Sequence, residues 1–308
     1  MCKGFYWQIW FPLEESFAQS YNFHSYHQTY NMMTDFPIVM KGIEFSPDEF
    51  EPLPNPRLSF PHLQVDERDF IMNINHVASF RVRDGNHVCI HPHENADSAS
   101  IQLFLNGSIL GAVLHQQRIL PFHGCAFEYN GKGILICGHS GTGKSSITAA
   151  FCQNGGRFIN DDITPVRIKG QGTNIIPIKT KIKLWDDTLL KLKIENENFE
   201  KIRPTINKFY LPARESSSAE LHLYHLIILG KHNKDGFEGN KLNGMVKYNA
   251  LRNQIYRKMY LKGMPETEKT YFKQLFKLAS TVRVTQILRP DICDIYETMN
   301  CIKKEIDR

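Results

Sequence analysis

The sequence predicts an α/β protein in which helices surround a mixed β-sheet, preceded by a small strand-rich domain. Short apolar runs with the length of buried strands alternate with helical patterns in the second half of the 308-residue chain. Turn dipeptides between apolar runs occur before residue 115. A glycine-rich loop then lies between one apolar run and one helical pattern. We therefore divide the chain into an N-terminal segment (1–65), a small strand-rich domain (66–115) and a larger domain (116–308).

Residues 1–65 are rich in aromatic side chains and prolines, and their periodicity is poor. This pattern predicts an irregular segment that packs on the body of the protein or forms a docking surface for a substrate or partner. The next segment has clearer signals. Its predicted elements are a hairpin of residues 80–83 and 87–90 around Asp84-Gly85, a strand over 101–105 ending at Asn106-Gly107, and a short helix over 108–117.

The larger domain is organised around a glycine-rich loop that fits G-x-x-x-x-G-K-[ST] at every fixed position. The apolar run 133–137 before it predicts a buried strand, and residues 145–154 after it predict a helix that ends at Gly155-Gly156. This strand–loop–helix context is the one that the phosphate-binding motif requires. The candidate nucleotide-binding residues are Gly138, His139, Ser140, Gly141, Thr142, Gly143, Lys144, Ser145 and Ser146.

The residue types in this loop suit the binding of phosphate. Glycines allow successive backbone N–H groups to point at one anion, and the start of the helix adds a partial positive charge. Lys144 supplies a cation for the β- and γ-phosphates, and the hydroxyl of Ser145 can ligate Mg²⁺. The structural alternative is a chance glycine turn before a helix.

A pair of acids, Asp161-Asp162, follows the next predicted strand at residues 157–160. One carboxylate there can hold Mg²⁺, directly or through water, and the other can accept the proton of an attacking hydroxyl. Adjacent residues of a regular strand face opposite ways, so both acids reach one site only if the strand ends and the backbone turns. The structural alternative is a solvated acid pair at the end of a strand.

Further elements complete the predicted α/β arrangement. They are strands over 178–185 and 221–229 and helices over 246–262, 266–279 and 290–304. The first of these strands carries Lys179, Lys181 and Lys183 on one face, which predicts either an anionic site or a solvated edge.

Three runs of this sequence resemble the bacterial HPr kinase/phosphorylase family, and the shorter HPr-kinase-like proteins still more. The latter include the kinases of lasso-peptide gene clusters, which phosphorylate a serine of the precursor peptide. The similarity lies in residues 122–125, 131–145 and 155–162, and more weakly in 80–85, 114–116, 182–185 and 203–204. It implies that residues 116–308 form a P-loop kinase domain of the HPr-kinase type, and it makes Arg203 and Lys208 further candidates for contact with phosphate or substrate.

Carried over residue by residue, the resemblance implies that Lys144 and the loop amides bind ATP and that Ser145 holds Mg²⁺. It implies that Asp162 is the general base, that Asp161 is the acid on the metal side, and that His123 orients or balances the acid pair. His139 stands where the family has an acid. The glycine-rich segment that accompanies phosphorolysis is not recognisable, so we expect neither phosphorylase activity nor HPr as the substrate.

We therefore expect a kinase that transfers the γ-phosphoryl group of ATP to a hydroxyl, in the first place a serine of a peptide or small protein such as a ribosomal peptide precursor. A small-molecule hydroxyl kinase is the nearest alternative. A nucleotide-binding regulatory protein that has lost turnover is the alternative outside enzymes. The intact set of Ser145, Asp161 and Asp162 favours the enzyme.

Composition limits the kinds of partner, metal and cellular compartment that we expect. The excess of positive charge lies in residues 131–308, where it would attract an anionic nucleotide but is too dilute to require nucleic acid, and no known nucleic-acid-binding module is recognisable. The histidines and the seven scattered cysteines lack zinc-site spacing, so we expect buried thiols, a reducing compartment and no metal besides Mg²⁺. No apolar run approaches a membrane span, and because the first residues do not fit the pattern of a signal peptide, we expect none. We expect a cytoplasmic protein without membrane contact that can form a homo-oligomer.

Overall fold

The computed structural model describes residues 42–170, 172–178, 181–195, 199–203, 206–211 and 219–308, and it has the mixed α/β architecture that the sequence predicts. The strands are β1 (Glu44–Ser46), β2 (Leu58–Phe60), β3 (Leu63–Asp66), β4 (Asp69–Ile74), β5 (Ala78–Arg83), β6 (His87–Pro92), β7 (Leu120–Tyr129), β8 (Lys132–Cys137), β9 (Arg157–Asn160), β10 (Ile163–Lys169), β11 (Gly172–Ile175), β12 (Ile182–Trp185), β13 (Lys201–Arg203), β14 (Ile206–Leu211), β15 (Leu221–His232), β16 (Glu238–Lys241) and β17 (Arg283–Pro290).

The α-helices are α1 (Ser98–Phe104), α2 (Leu110–Gln116), α3 (Lys144–Gln153), α4 (Asp186–Lys191), α5 (Gly244–Asn253), α6 (Pro265–Thr281) and α7 (Ile295–Asp307). A π-helix (Leu105–Ile109) joins α1 to α2, and a 3₁₀-helix (Lys258–Gly263) precedes α6. Within the described part of the chain, no helix is long and apolar enough to cross a bilayer.

The first sheet has the strand order β1-β6-β5-β4-β3-β2. The predicted hairpin is confirmed, because β5 pairs antiparallel with β6 around Asp84-Gly85. Strands β1, β2 and most of β3 precede residue 66, in the stretch for which the sequence predicted no regular structure. They are short, and prolines separate β1 from β2, so their period of two is hard to detect. Residues 1–41 of the predicted N-terminal segment lie outside the described residues.

The predicted strand over 101–105 is wrong, because these residues lie in α1 and the π-helix. Asp97 begins α1 by accepting a hydrogen bond from the backbone N–H of Ser100. Ile101, Leu105 and Ile109 recur every four residues, and all three are buried against the first sheet. The burial of these side chains on one helical face therefore favours a helix over the turn that Asn106-Gly107 predicts. The helix predicted over 108–117 corresponds to α2.

The second sheet has the order β11-β10-β7-β8-β15-β17-β16, with β9 also paired to β7. Strands β8, β15 and β17 are parallel and buried on both faces. In β8, Ile134 and Ile136 pack in the cluster that contains α3 and α7, whereas Leu135 and Cys137 pack in the cluster that contains α5 and α6. Cover on both faces explains why this strand is a continuous apolar run in the sequence.

The remaining predicted elements are confirmed in part. Strands over 157–160 and 221–229 and the helices after the glycine loop and over 266–279 are present. The helix predicted over 246–262 is interrupted, because Gln254 and Tyr256 hydrogen-bond to β7 instead of continuing α5. The helix predicted from residue 290 begins at Ile295, where Asp294 caps it. The strand predicted over 178–185 begins only at Ile182, in a small sheet of order β12-β14-β13.

Glu67, in the turn between β3 and β4, links the first sheet to α6. Its carboxylate accepts hydrogen bonds from the backbone N–H groups of Glu266 and Thr267, at 3.0 and 2.8 Å, and from the Thr267 hydroxyl at 2.7 Å. These backbone groups are unsatisfied donors of the first turn of α6, and the helix dipole favours a negative charge there. A residue distant in sequence therefore caps this helix.

We predict that Glu67→Ala lowers the free energy of unfolding by about 1–2 kcal/mol, because the first turn of α6 loses its cap and its compensating charge. Urea denaturation measures the change. Glu67→Gln should lose less, since its amide oxygen can still accept a hydrogen bond. Glu51→Ala, at an exposed position, is the control. A Glu67→Ala variant as stable as the parent would contradict the capping role.

Candidate functional site

The glycine loop, residues 138–146, connects β8 to α3. Gly138 has φ +141°, and a Cβ there would lie 2.2 Å from the carbonyl oxygen of Leu229 in β15. Gly143 has φ +105° and immediately precedes α3, which begins at Lys144. Both positions require glycine, because a side chain would clash with the neighbouring strand at one and strain the left-handed backbone at the other. The loop therefore turns tightly into the N-terminus of a helix.

Lys144 is buried although it is charged. Its ammonium group donates hydrogen bonds to the carbonyl oxygens of Gly138 and His139, at 2.8 and 3.0 Å. The Nε2 atom of His123 lies 3.4 Å from the same ammonium. The carbonyl groups of the glycine loop thus surround the ammonium of Lys144. This ammonium and the N-terminus of α3 both carry positive charge, and together they favour an anion bound at the loop.

Asp161 and Asp162 lie at a break between two strands that run along the same side of β7. Strand β9 pairs with residues 126–128 of β7 and β10 pairs with residues 120–123, so the acid pair stands opposite Gly124. Asp162 has φ +70°, and its carbonyl accepts a hydrogen bond from the Gly124 N–H at 3.1 Å. The strand therefore ends and the backbone turns, which is the condition that both acids had to meet to reach one site.

Asp161 is 3% exposed, and its carboxylate is held by three donors. Its Oδ1 accepts from the Ser145 hydroxyl and the Cys125 thiol, both at 2.8 Å, and its Oδ2 accepts from the backbone N–H of Lys183 at 2.8 Å. Burial and the negative charge of Asp161 raise the pKa of the Cys125 thiol well above its usual range, so the thiol remains a donor. Asp161 thereby joins α3, β7 and β12.

The side chain of Asp162 is 39% exposed and faces two nitrogen atoms. Its Oδ1 lies 3.4 Å from His123 Nδ1, and its Oδ2 lies 3.7 Å from Lys183 Nζ. Burial opposes the positive charge on Lys183, but Asp162 and Asp161 outweigh it and raise the pKa of this lysine. Lys183 therefore faces the acid pair, and the solvated-edge alternative for it is wrong.

His123 lies between Lys144 and Asp162. Its Nε2 faces an ammonium, which can only donate, so Nε2 acts as the acceptor and the ring proton is assigned to Nδ1, towards the carbonyl and carboxylate of Asp162. Burial lowers the pKa of His123, the charge of Lys144 lowers it further, and Asp162 partly opposes both. We infer that the imidazole is neutral at pH 7.

The loop, His123 and Asp162 border one cleft of about 640 Å³, within the range of small-molecule sites. The predicted loop, catalytic and metal residues on its wall are His123, Ser140, Gly141, Gly143, Lys144, Ser145, Ser146 and Asp162. The remaining residues of that predicted set support this wall. The Thr142 hydroxyl donates to the carbonyl of the exposed His139, Gly138 packs against β15, and Asp161 holds Ser145.

Sequence reasoning missed several residues of the cleft. Arg289, at the end of β17, donates from Nε to the carbonyl of Thr142 at 3.0 Å and lines the cleft, as does Trp185. No local pattern marked either of them, although Trp185 belongs to a run that resembles the kinase family. Lys208, a predicted candidate, lines the cleft with its ammonium 5.5 Å from the Trp185 ring. Lys179 and the side chain of Arg203 fall outside the described residues.

The arrangement can bind an anion and accept a proton nearby. Lys144, the helix N-terminus and the loop amides favour a phosphate, and the carboxylate of Asp162 is available on one side of them. In the described part of the chain, no group of three or more His, Cys, Asp or Glu side chains could hold a metal ion. A cation here would need the Ser145 hydroxyl, the adjacent Asp161 carboxylate and oxygen atoms from a ligand or from water.

Comparisons with known proteins add little to this geometry. No family model matches the chain, and no curated protein sequence matches it. One similar solved structure is the Hpr(Ser) kinase/phosphatase from Coxiella burnetii, at 12% sequence identity and a TM-score of 0.32. The alignment covers 60% of this chain and 89% of that chain. Similarity at this level assigns neither fold nor activity.

We predict opposite shifts in the pKa of His123 for two variants. Lys144→Met removes a neighbouring positive charge and should raise the pKa, whereas Asp162→Asn removes a negative charge and should lower it. Both can be followed by NMR of the imidazole ring during a pH titration. The pKa of His225, which burial lowers to about 4, serves as the control and should stay unchanged. Equal His123 pKa values in the two variants would refute the proposed electrostatic coupling.

Proposed function

We propose that this protein is an ATP- and Mg²⁺-dependent kinase that transfers the γ-phosphoryl group to a hydroxyl. The observation that carries the proposal is the position of two opposite charges on one cleft. The ammonium of Lys144 and the carboxylate of Asp162 stand on either side of the His123 ring, which lies 3.4 Å from each of them. A phosphoryl group beside Lys144 would leave an acceptor hydroxyl within reach of Asp162.

In this proposal the acceptor oxygen attacks the γ-phosphorus while the bond to the β–γ bridging oxygen breaks. The hydroxyl proton passes to Asp162, and ADP leaves with the electron pair of the broken bond. Lys144 and the loop amides stabilise the negative charge on the transferring group and on the departing diphosphate. His123 remains neutral and orients Asp162 through its Nδ1 proton. Lys183 compensates the charge of Asp162 before the proton arrives.

The oxygens of Ser145 and Asp161 suit a magnesium site. Ser145 lines the cleft and its hydroxyl would ligate the ion, while Asp161, which accepts a hydrogen bond from that hydroxyl at 2.8 Å, would act on the metal side directly or through water. Mg²⁺ usually takes one or two protein oxygens and completes its shell with phosphate oxygens and water, so two protein groups suffice. When bound there, the ion would neutralise charge on the β- and γ-phosphates.

A serine of a peptide or small protein, such as a ribosomal peptide precursor, is the acceptor that we propose. The support is the sequence resemblance to kinases that modify such a serine, together with an open cleft beside Asp162. Trp185 is 53% exposed on the cleft wall beside Lys208 and Lys183, and offers a peptide an apolar surface next to cations. A small-molecule alcohol would use the same base and phosphate contacts.

We predict that Asp162→Asn lowers the rate of phosphoryl transfer to a serine peptide by about 10²–10⁴-fold, because the general base is lost while the phosphate contacts remain. The measurement is transfer of labelled γ-phosphate to a panel of serine-containing peptides, with ATP binding measured in parallel. Asp187→Asn is the matched control, since Asp187 is another cleft carboxylate and pairs with Lys191. It should change the rate less than twofold.

Two outcomes of this experiment would overturn the kinase proposal. One is a parent protein that binds ATP but transfers phosphate to no peptide or small alcohol. The other is an Asp162→Asn variant as fast as the Asp187→Asn control. An unchanged unfolding free energy in both variants separates loss of chemistry from loss of the fold.

The metal site gives an independent prediction. Ser145→Ala should weaken binding of Mn²⁺, used as a spectroscopic substitute for Mg²⁺, by roughly tenfold or more in the presence of a non-hydrolysable ATP analogue. Electron paramagnetic resonance reports the free ion. Thr188→Val removes a hydroxyl from the cleft wall outside the glycine loop, and metal binding in that variant should match the parent. Equal affinities in the two variants would exclude Ser145 as a ligand.

A further inference from the structure

The glycine loop lies between two different groups on one edge of the second sheet. Strands β9, β8, β15 and β17 run in the same direction, so their carboxyl ends lie on the same edge. The acid pair follows β9, which is two strands from β8 on one side. The connector, residues 291–294 between β17 and α7, is two strands from β8 on the other side. Each separation is about 10 Å.

This order fixes the direction of a bound nucleoside triphosphate, given the proposed function. The γ-phosphate must lie on the side of Asp162, because the acceptor hydroxyl needs both groups. The α-phosphate and the nucleoside must then leave the glycine loop in the opposite direction, over β15 and towards the connector. The cleft continues that way, since its wall includes Lys231 at the end of β15 and Ile292 in the connector.

The connector is fixed to the glycine loop by Arg289. The Nε of this arginine donates to the carbonyl of Thr142 at 3.0 Å, and its NH1 donates to the carbonyls of Pro290 and Asp291 at 2.8 and 3.1 Å. At the other end, Asp294 accepts from the backbone N–H groups of Tyr296 and Glu297 and forms the capping box of α7. The connector is therefore held at both ends, at a set position relative to the phosphate-binding loop.

Ile292 is 96% exposed and lines the cleft. It is the most exposed large hydrophobic side chain in the described part of the chain. A single exposed apolar residue is ordinary on a protein surface. Ile292 differs in its place, because it stands on a segment held at both ends and lines a cleft whose wall is rich in charged groups, such as Lys231 and Asp291. A flat apolar ligand group would cover it.

We propose that the connector is the subsite for the nucleobase of the nucleoside triphosphate, with Ile292 against the face of the base. Arg289 is then a positioning residue that keeps the base subsite and the glycine loop at one distance. This inference depends on the proposed direction of the nucleotide, and it assigns the connector a role that no motif in the sequence indicated.

The test compares a ligand that has a nucleobase with a ligand that has none. Binding of ATP and of inorganic tripolyphosphate, each with Mg²⁺, is measured by calorimetry on the full chain. Ile292→Asn should weaken ATP binding about tenfold, since an apolar contact with the base is lost, and should leave tripolyphosphate binding within twofold. Ile292→Leu should restore ATP binding. Val246→Asn, at a 65% exposed apolar position on α5, is the matched control and should change neither affinity.

The outcomes separate this inference from the proposed function. Failure of both ligands to bind the parent would overturn the proposed function. Binding of both ligands to the parent, with Ile292→Asn weakening both equally or neither, would overturn the base subsite alone. Urea denaturation of each variant shows whether a loss of binding reflects loss of the fold.

Discussion

The buried carboxylate of Asp161 is the contact on which the arrangement of the cleft depends. It accepts hydrogen bonds from Ser145 at the start of α3, from Cys125 in β7 and from the backbone of Lys183 in β12. Hydrogen bonds to a charged group contribute about 1.5–3 kcal/mol each, and donors left unsatisfied in a buried site are costly. One side chain therefore holds α3, β7 and the small sheet that contains β12 together beside the cleft.

The two neighbouring acids have different roles because the backbone turns between them. The left-handed conformation of Asp162 directs its carboxylate to the cleft surface, while Asp161 remains inside. Outside, Asp162 lies next to Lys183 and His123, and His123 in turn lies next to Lys144. The negative charges of the two aspartates and the positive charges of Lys144 and Lys183 therefore compensate one another around a neutral imidazole. The site can thus place a proton-accepting carboxylate and an anion-binding lysine a few ångströms apart without an unpaired buried charge.

The sequence predicted the parts of this site that are local in the chain. The glycine loop, the strand before it and the helix after it follow one another directly, so motif and periodicity sufficed. Arg289 and Cys125 reach the site through sheet pairing, which no local pattern records. The same limit explains the misassigned strand over 101–105. A short apolar run and a turn dipeptide fit either element, and only packing against the first sheet selects the helix.

The decisive measurement is a crystal structure with Mg²⁺ and a non-hydrolysable ATP analogue. We expect the γ-phosphate within hydrogen-bond distance of Lys144 Nζ, with an oxygen of Asp162 on its far side and room between them for one hydroxyl. An analogue bound away from the glycine loop, or an Asp162 carboxylate turned out of the cleft with no space for an acceptor, would contradict phosphoryl transfer at this site.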